Sequence, residues 1–260
     1  MQVLFLTLTN IGDVILSTAL LNRILADHPQ AVVDVICGPR AVSLFEGCRN
    51  VRRVIPFRKQ SYKRHHLQLL KLGWAQKYDL VVDLRTPIWG YLARASQRIM
   101  GAKRRATWLG DHYHHLWPST QPLKTSVWPA PQTQRNMQQW LQQRRQGQGP
   151  VVVLCPTTNW AGKAWPLGHW QQLTQHILDA DGQVIVVAAP NERPQLQGLF
   201  DHFPAGRVCD ASFTSLTEAA ALCQQATACV ANDSGLAHLA AATGQPTIVL
   251  FGPMDEAVYR

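Results

Sequence analysis

Three short stretches of this 260-residue chain place chemically capable side chains where an apolar strand pattern gives way to a helical one. In TNIGDVILST (9–18), Asp13 follows Gly12 at that changeover. A carboxylate there is ionised at neutral pH and could deprotonate a hydroxyl held against it. An acid in the first turn or at the N-cap of a helix is equally favoured by the helix dipole. In CPTTNWAGKAWP (155–166), Thr157, Thr158 and Lys163 lie between an apolar run and a helix expected to start near Pro166. Two hydroxyls, free backbone N–H groups and an ammonium suit a phosphate or diphosphate; a polar loop with an exposed lysine is the plainer alternative. The GxxxxGK[ST] spacing of a P-loop is absent. In ANDSGLAHLAAATGQP (231–246), Asp233 and Ser234 compete for an N-cap and Gly235 lets a ligand approach the backbone. His238 falls about one turn later on the same helical face, as a phosphate donor or a core histidine.

These stretches need strands to end and helices to begin at fixed points, and the apolar pattern supplies them. Strands are expected at 2–8, 32–38 and 77–84, with a helix over Val14–Leu25 whose apolar residues Ile15, Ala19, Leu20 and Ile24 repeat at helical spacing. A Gln- and Arg-rich helix then leads to a Gly/Pro cluster at 147–150, which suggests a domain boundary. The alternation restarts with strands at 151–156, 182–190, 228–232 and 246–253, and helices over Pro166–Leu178, Leu216–Gln225 and from Ser234. Strand-first alternation argues for parallel sheets covered on both faces. The fold class is therefore α/β: two Rossmann-like domains, 1–148 and 149–260, facing each other across a cleft, with ligands at the carboxyl ends of the strands.

Hydrophobic residues make up 46% of the chain and charged residues 16%, which excludes a disordered polyelectrolyte. Residues 1–150 carry 21 Lys+Arg against 7 Asp+Glu, a balance of +14; residues 151–260 carry 4 against 9, or −5. The two halves thus expect different partners. No helix-turn-helix, RNA-binding signature or aromatic interleaving points to a nucleic acid. The six cysteines form no CxxC pair and read as buried thiols rather than disulfides or a metal site. The N-terminus lacks a basic n-region before Asp13, and the longest uncharged tract, 234–254, is broken by Gly244 and Pro246. Neither a signal peptide nor a membrane span is expected, and the protein is placed in the cytoplasm.

Taken together, MQVLFLTLTNIGDVILSTALL, YDLVVDLR, TTNWAGKAWPLGHW and NDSGLAHLAAATGQPTIVLFGP resemble glycosyltransferase family 9, the ADP-heptose:lipopolysaccharide heptosyltransferases, over most of the chain. The resemblance implies a GT-B architecture with an N-terminal acceptor domain and a C-terminal nucleotide-sugar domain. It implies inverting transfer of heptose from ADP-heptose to the lipopolysaccharide inner core, a lipid A carrying the acidic sugar Kdo, without a metal or other cofactor. Asp13 matches the family's general base. Thr157, Thr158 and Lys163 match the diphosphate loop, with Lys163 stabilising the leaving ADP; Asp233, Ser234, Gly235 and His238 match the donor-binding turn, with the aspartate closer to the sugar, and Glu192 an adenosine-contacting acid. Arg52, Arg53, Arg58, Lys59, Lys63, Arg64, Lys103, Arg104 and Arg105 could present a basic surface to an anionic glycolipid at the inner membrane; singly, each is as readily a solvated loop residue. Two alternatives stay open: a member using another nucleotide sugar or acceptor, such as a protein or a capsule intermediate, and a non-catalytic member that only binds an anionic glycolipid.

Overall fold

The computed structural model describes residues 1–57, 74, 76–85, 89–101, 109–204 and 206–253. They form two compact units, Met1–Ser126 and 127–253, each built on a five-stranded sheet.

In the first unit the elements are β1 (Gln2–Leu6), α1 (Ile11–Asp27), β2 (Val32–Cys37), a 3-10 segment (Pro39–Phe45), β3 (Val51–Pro56), β4 (Tyr78–Asp83), a short α2 (Trp89–Leu92), β5 (Ala95–Met100) and α3 (Leu109–Leu116). The strand order is β3-β2-β1-β4-β5, and every pairing is parallel. The central strands β1, β2 and β4 read as apolar runs because both faces are covered: Val3, Phe5, Val33, Val35 and Val82 are inaccessible to solvent. The edge strands β3 and β5 carry Arg52, Arg53, Gln97 and Arg98, and so lack the apolar signature that marks the centre of the sheet. Helix α1 buries Val14, Ile15, Leu20, Leu21 and Ile24, the face expected from their spacing.

One charge sits inside this sheet. Asp34, in the middle of β2, is inaccessible to solvent and accepts hydrogen bonds from Arg52 Nε and Nη2 at 3.0 and 2.7 Å, Arg53 Nη2 at 2.8 Å and Tyr78 Oη at 2.7 Å. Burial works against the charged carboxylate, but the Arg52, Arg53 and Tyr78 hydrogen bonds outweigh it and hold its pKa below the usual aspartate range.

The second unit contains α4 (Pro131–Arg144), β6 (Val151–Cys155), a 3-10 turn (Ala161–Lys163), α5 (Leu167–Asp179), β7 (Gln183–Val186), a 3-10 turn (Arg193–Leu196), α6 (Gln197–Phe200), β8 (Val208–Asp210), α7 (Leu216–Gln225), β9 (Ala228–Asn232), α8 (Gly235–Ala241) and β10 (Thr247–Leu250). Its order is β10-β9-β6-β7-β8, again all parallel. Trp170 of α5 anchors a core with Leu154, Val184, Val186, Leu199 and Val230. The Gly147–Pro150 cluster is a tight turn docked on the residue-181 bend: Gly149 N–H donates to Asp181 O at 3.0 Å, and Gly147 has φ of +84° with no room for a Cβ beside Asp181 O. Helix α4, ahead of that turn, packs on α7, so the second compact unit begins at Val127. All six cysteines are free and buried.

Candidate active site

In the second unit, β6 and β9 are adjacent parallel strands, with Cys155 beside Ala231, so the segments that follow them leave the carboxyl edge side by side. Asn232, fully buried at the end of β9, holds both ends of the 156–165 loop. Its Nδ2 donates to Pro156 O at 2.5 Å, and its Oδ1 accepts from Trp165 N–H at 3.2 Å. Thr158 Oγ1 donates to Asp233 O at 3.3 Å, and Lys163 Nζ lies 2.6 Å from Asp233 Oδ2. The side chains of this ion pair are only 16% and 6% exposed. Asp233 N–H in turn donates to Leu250 O at 3.1 Å, which ties the turn to β10. The FGP segment after β10 crosses the same loop so closely that a Cβ on Gly252 would sit 3.1 Å from Gly162 O and Lys163 Cα. Segments after β6, β9 and β10 therefore converge on one lysine.

An ammonium has three N–H donors. Asp233 takes one of them, and with no further Nζ contact among the described residues the others could meet oxygens of a second anion. Thr157 is buried nearby in sequence, and Ser234 occupies the N-cap of α8 without a side-chain capping bond, its Oγ buried and lacking a hydrogen-bond partner. Gly235 opens α8, and His238 N–H reaches back to Ser234 O at 3.4 Å. A cation, hydroxyls and a glycine-flanked backbone at a sheet's carboxyl edge are groups that could hold a phosphorylated ligand.

Glu192 stands apart from that group, beyond β7 on the side of β6 away from β9. Its Oε2 accepts from Ala189 N–H at 3.2 Å. Next to it, Arg193 Nε donates to Asp210 Oδ2 at 2.6 Å. Asp210 is held below the usual aspartate range, since burial, which opposes its charge, is outweighed by Ser212 and Arg193 hydrogen bonds.

In the first unit, Asp13 is the third residue of α1, which follows the central strand β1. The N-cap Asn10 makes no side-chain capping bond to the backbone. Its Nδ2 donates instead to Asp13 Oδ2 at 3.0 Å. Asp13 is half-buried and takes part in none of the ion pairs among the described residues. Of the basic candidates, Arg52 and Arg53 lie on β3 and share Asp34, two cations against one anion. Arg58, Lys59, Lys63, Arg64, Lys103, Arg104 and Arg105 lie outside the described residues. Among the described residues, no group of three or more His, Cys, Asp or Glu could hold a metal, and no helix is long and apolar enough to cross a membrane. Asn232 escaped sequence reasoning; the one signal available was a polar residue closing an apolar strand just before Asp233-Ser234-Gly235.

The family model for glycosyltransferase family 9 (heptosyltransferase) matches residues 112–260, more than half of the chain. The chain belongs to glycosyltransferase family 9. It is similar to lipopolysaccharide heptosyltransferase 2 of Escherichia coli K12, 24% identical over 97% of this chain and 83% of that protein. It is also similar to lipopolysaccharide heptosyltransferase 1 of Pseudomonas aeruginosa, 26% identical over 98% of this chain and 79% of that protein. The solved E. coli ADP-heptose lipopolysaccharide heptosyltransferase II shares its fold, with a TM-score of 0.77 and 20% identity over 99% of this chain and 87% of that one. The GT-B fold and the glycosyltransferase class expected from the sequence are those of the family 9 chain described above. The match includes the whole β6-to-β10 stretch that carries Thr157, Thr158, Lys163, Asp233, Ser234, Gly235 and His238.

Proposed function

We propose that this family 9 enzyme transfers heptose from ADP-heptose to a hydroxyl of the lipopolysaccharide inner core, with inversion at the anomeric carbon. The observation that carries this reading is the 2.6 Å contact of Lys163 with Asp233, which fixes an ammonium where the segments after β6, β9 and β10 meet. The donor would be held by the second unit and the acceptor by the basic first unit. The relatives' names supply the substrate class, since they are lipopolysaccharide heptosyltransferases aligned over nearly the whole chain.

In this reading the acceptor oxygen forms a bond to the anomeric carbon on the face opposite ADP, its proton passes to Asp13, and the bond from that carbon to the diphosphate oxygen breaks. ADP leaves with the electron pair. Negative charge on the diphosphate grows along this path, so a lysine already aimed at it stabilises the transition state more than the ground state. Thr157, Thr158 and the Ser234 hydroxyl supply further donors, and the backbone at Gly235 admits close approach. Glu192, one strand away, would contact the adenosine. No step calls on a metal ion, and the enzyme would work at the surface of the membrane that holds its acceptor.

Calorimetric titration with ADP, UDP and GDP in metal-free buffer tests the donor assignment. ADP should bind at least about tenfold more tightly than the other two, roughly 1.4 kcal/mol. Equal affinity for all three would point to a different nucleotide sugar, and no binding to any would remove the catalytic reading.

A further inference from the structure

Several described arginines of the first unit are bonded to oxygen or a ring nitrogen. Arg52 and Arg53 bind Asp34; Arg98 donates to the carbonyls of Gly90, Ala93 and Ala95; Arg23 reaches Trp117 O and His114. Arg85 differs. It is half-buried two residues past β4, its Nη1 is buried without a hydrogen-bond partner among the described residues, and its guanidinium sits over the Phe57 ring with Cζ 3.8 Å from the centroid. It makes no ion pair with a described carboxylate. The nearest acid in sequence, Asp83, accepts from Arg85 N–H at 3.0 Å through Oδ1 and from Gly90 N–H at 2.9 Å through Oδ2, and its charge favours the Arg85 cation.

The place of this contact is informative. Phe57 follows β3 and Arg85 follows β4, and β2 and β1 lie between those strands. Phe57 N–H donates to Cys37 O at 2.8 Å and Leu84 N–H to Leu6 O at 2.9 Å, so all four strand ends are level. With neighbouring strands about 4.8 Å apart, the two side chains span the carboxyl ends of β2 and β1, the edge from which α1 and Asp13 begin. A guanidinium stays charged at neutral pH even though burial draws its pKa below the usual arginine range. A stacked, partly desolvated cation without an ion pair among the described residues, at a Rossmann-like carboxyl edge, is suited to a planar or tetrahedral oxyanion.

We propose that Arg85, seated on Phe57, binds an anionic group of the acceptor, a carboxylate or a phosphate. This rests on the reading of the first unit as the acceptor-binding half. Phe57 supports the guanidinium by its ring face, and the anion pairs with the charge of the half-buried guanidinium.

The test compares wild type with Arg85→Gln, Arg85→Lys and Phe57→Leu, using lipid A carrying Kdo in detergent micelles, with and without its phosphates. Two quantities are read: acceptor binding without donor, and initial rates with ADP-heptose. Arg85→Gln should weaken acceptor binding at least tenfold and raise the acceptor KM by a similar factor, with ADP affinity and melting temperature unchanged. Arg85→Lys should lose less, and Phe57→Leu should fall between. A penalty that persists on the dephosphorylated acceptor identifies the Kdo carboxylate as partner; one that disappears identifies phosphate. Wild-type acceptor affinity in Arg85→Gln, or in Arg85→Lys and Phe57→Leu together if the Gln variant does not fold, overturns the proposal. A wild-type enzyme that binds acceptor in an Arg85-dependent way but transfers nothing from ADP-heptose would refute the proposed function and leave the Arg85 subsite standing.

Discussion

Replacing Asp34 with Asn tests how much stability the charge buried in the first sheet provides. The substitution keeps shape but puts an amide, itself a donor, against Arg52 Nη2, Arg53 Nη2 and Gln76 Nε2, which lie 2.7, 2.8 and 3.3 Å from Oδ2. Removing one partner of a fully buried pair costs about 3–5 kcal/mol. Here the Arg52 and Arg53 side chains are 40% and 41% exposed and can turn their charge to water, so the loss is reduced to about 2–3 kcal/mol. Tyr78 Oη, within a fully buried residue, keeps at best a weaker acceptor. For a unit of this size the fall in melting temperature is roughly 6–15 °C. The pH dependence follows from the depressed pKa of Asp34. Its contribution is fully present above the unfolded aspartate value of about 3.9 and disappears as pH falls through the lower folded value. Scanning calorimetry of both proteins between pH 3 and 8 should therefore show a constant gap above about pH 5 that narrows in acid. A gap under about 0.5 kcal/mol at pH 7, or one that stays unchanged in acid, would refute a charge-based role for Asp34.

Lys163→Met should lower ADP affinity by roughly 30–100-fold, the loss of a charge-assisted contact worth about 2–3 kcal/mol. It should also destabilise the fold by leaving Asp233, 6% exposed, without its cation. Adding Asp233→Asn should restore the melting temperature without restoring ADP affinity, and recovery of both would assign Lys163 a purely structural role. Asn232→Ala orphans Pro156 O and Trp165 N–H, at about 2–3 kcal/mol in urea unfolding. ADP affinity should fall with it because the 156–165 loop loses both anchors, and unchanged affinity would show that the loop is held by other means.

The central strands and the helices α1, α5 and α7 were legible in the sequence because both faces of the sheets are covered and apolar periodicity survives intact, as in QVLFL and VVVLC. The strands β3, β5 and β8 were not, since edges tolerate Arg52, Arg53 and Arg98 and carry no apolar run. The candidate residues of the loops after β6 and β9 could be named from their strand-to-helix position. Their assembly could not, because Lys163 and Asp233 are 70 residues apart and meet only through the adjacency of β6 and β9. The same holds for Asp34, whose ties to Arg53 and Tyr78 depend on strand order rather than on local pattern. The Gly/Pro cluster at 147–150 marked a real break in direction, but a turn within a compact unit and a linker between units have the same composition.

Mass-spectrometric detection of heptose transfer from ADP-heptose to Kdo-bearing lipid A, run with wild type and Asp13→Asn, tests the central claim most directly. Wild type should add heptose, and Asp13→Asn should turn over about 10²–10⁴-fold more slowly with ADP affinity within about twofold of wild type, as expected of a general base. Near-normal turnover by Asp13→Asn would make the carboxylate a first-turn helix acid and nothing more, and no transfer by wild type would contradict the heptosyltransferase assignment itself.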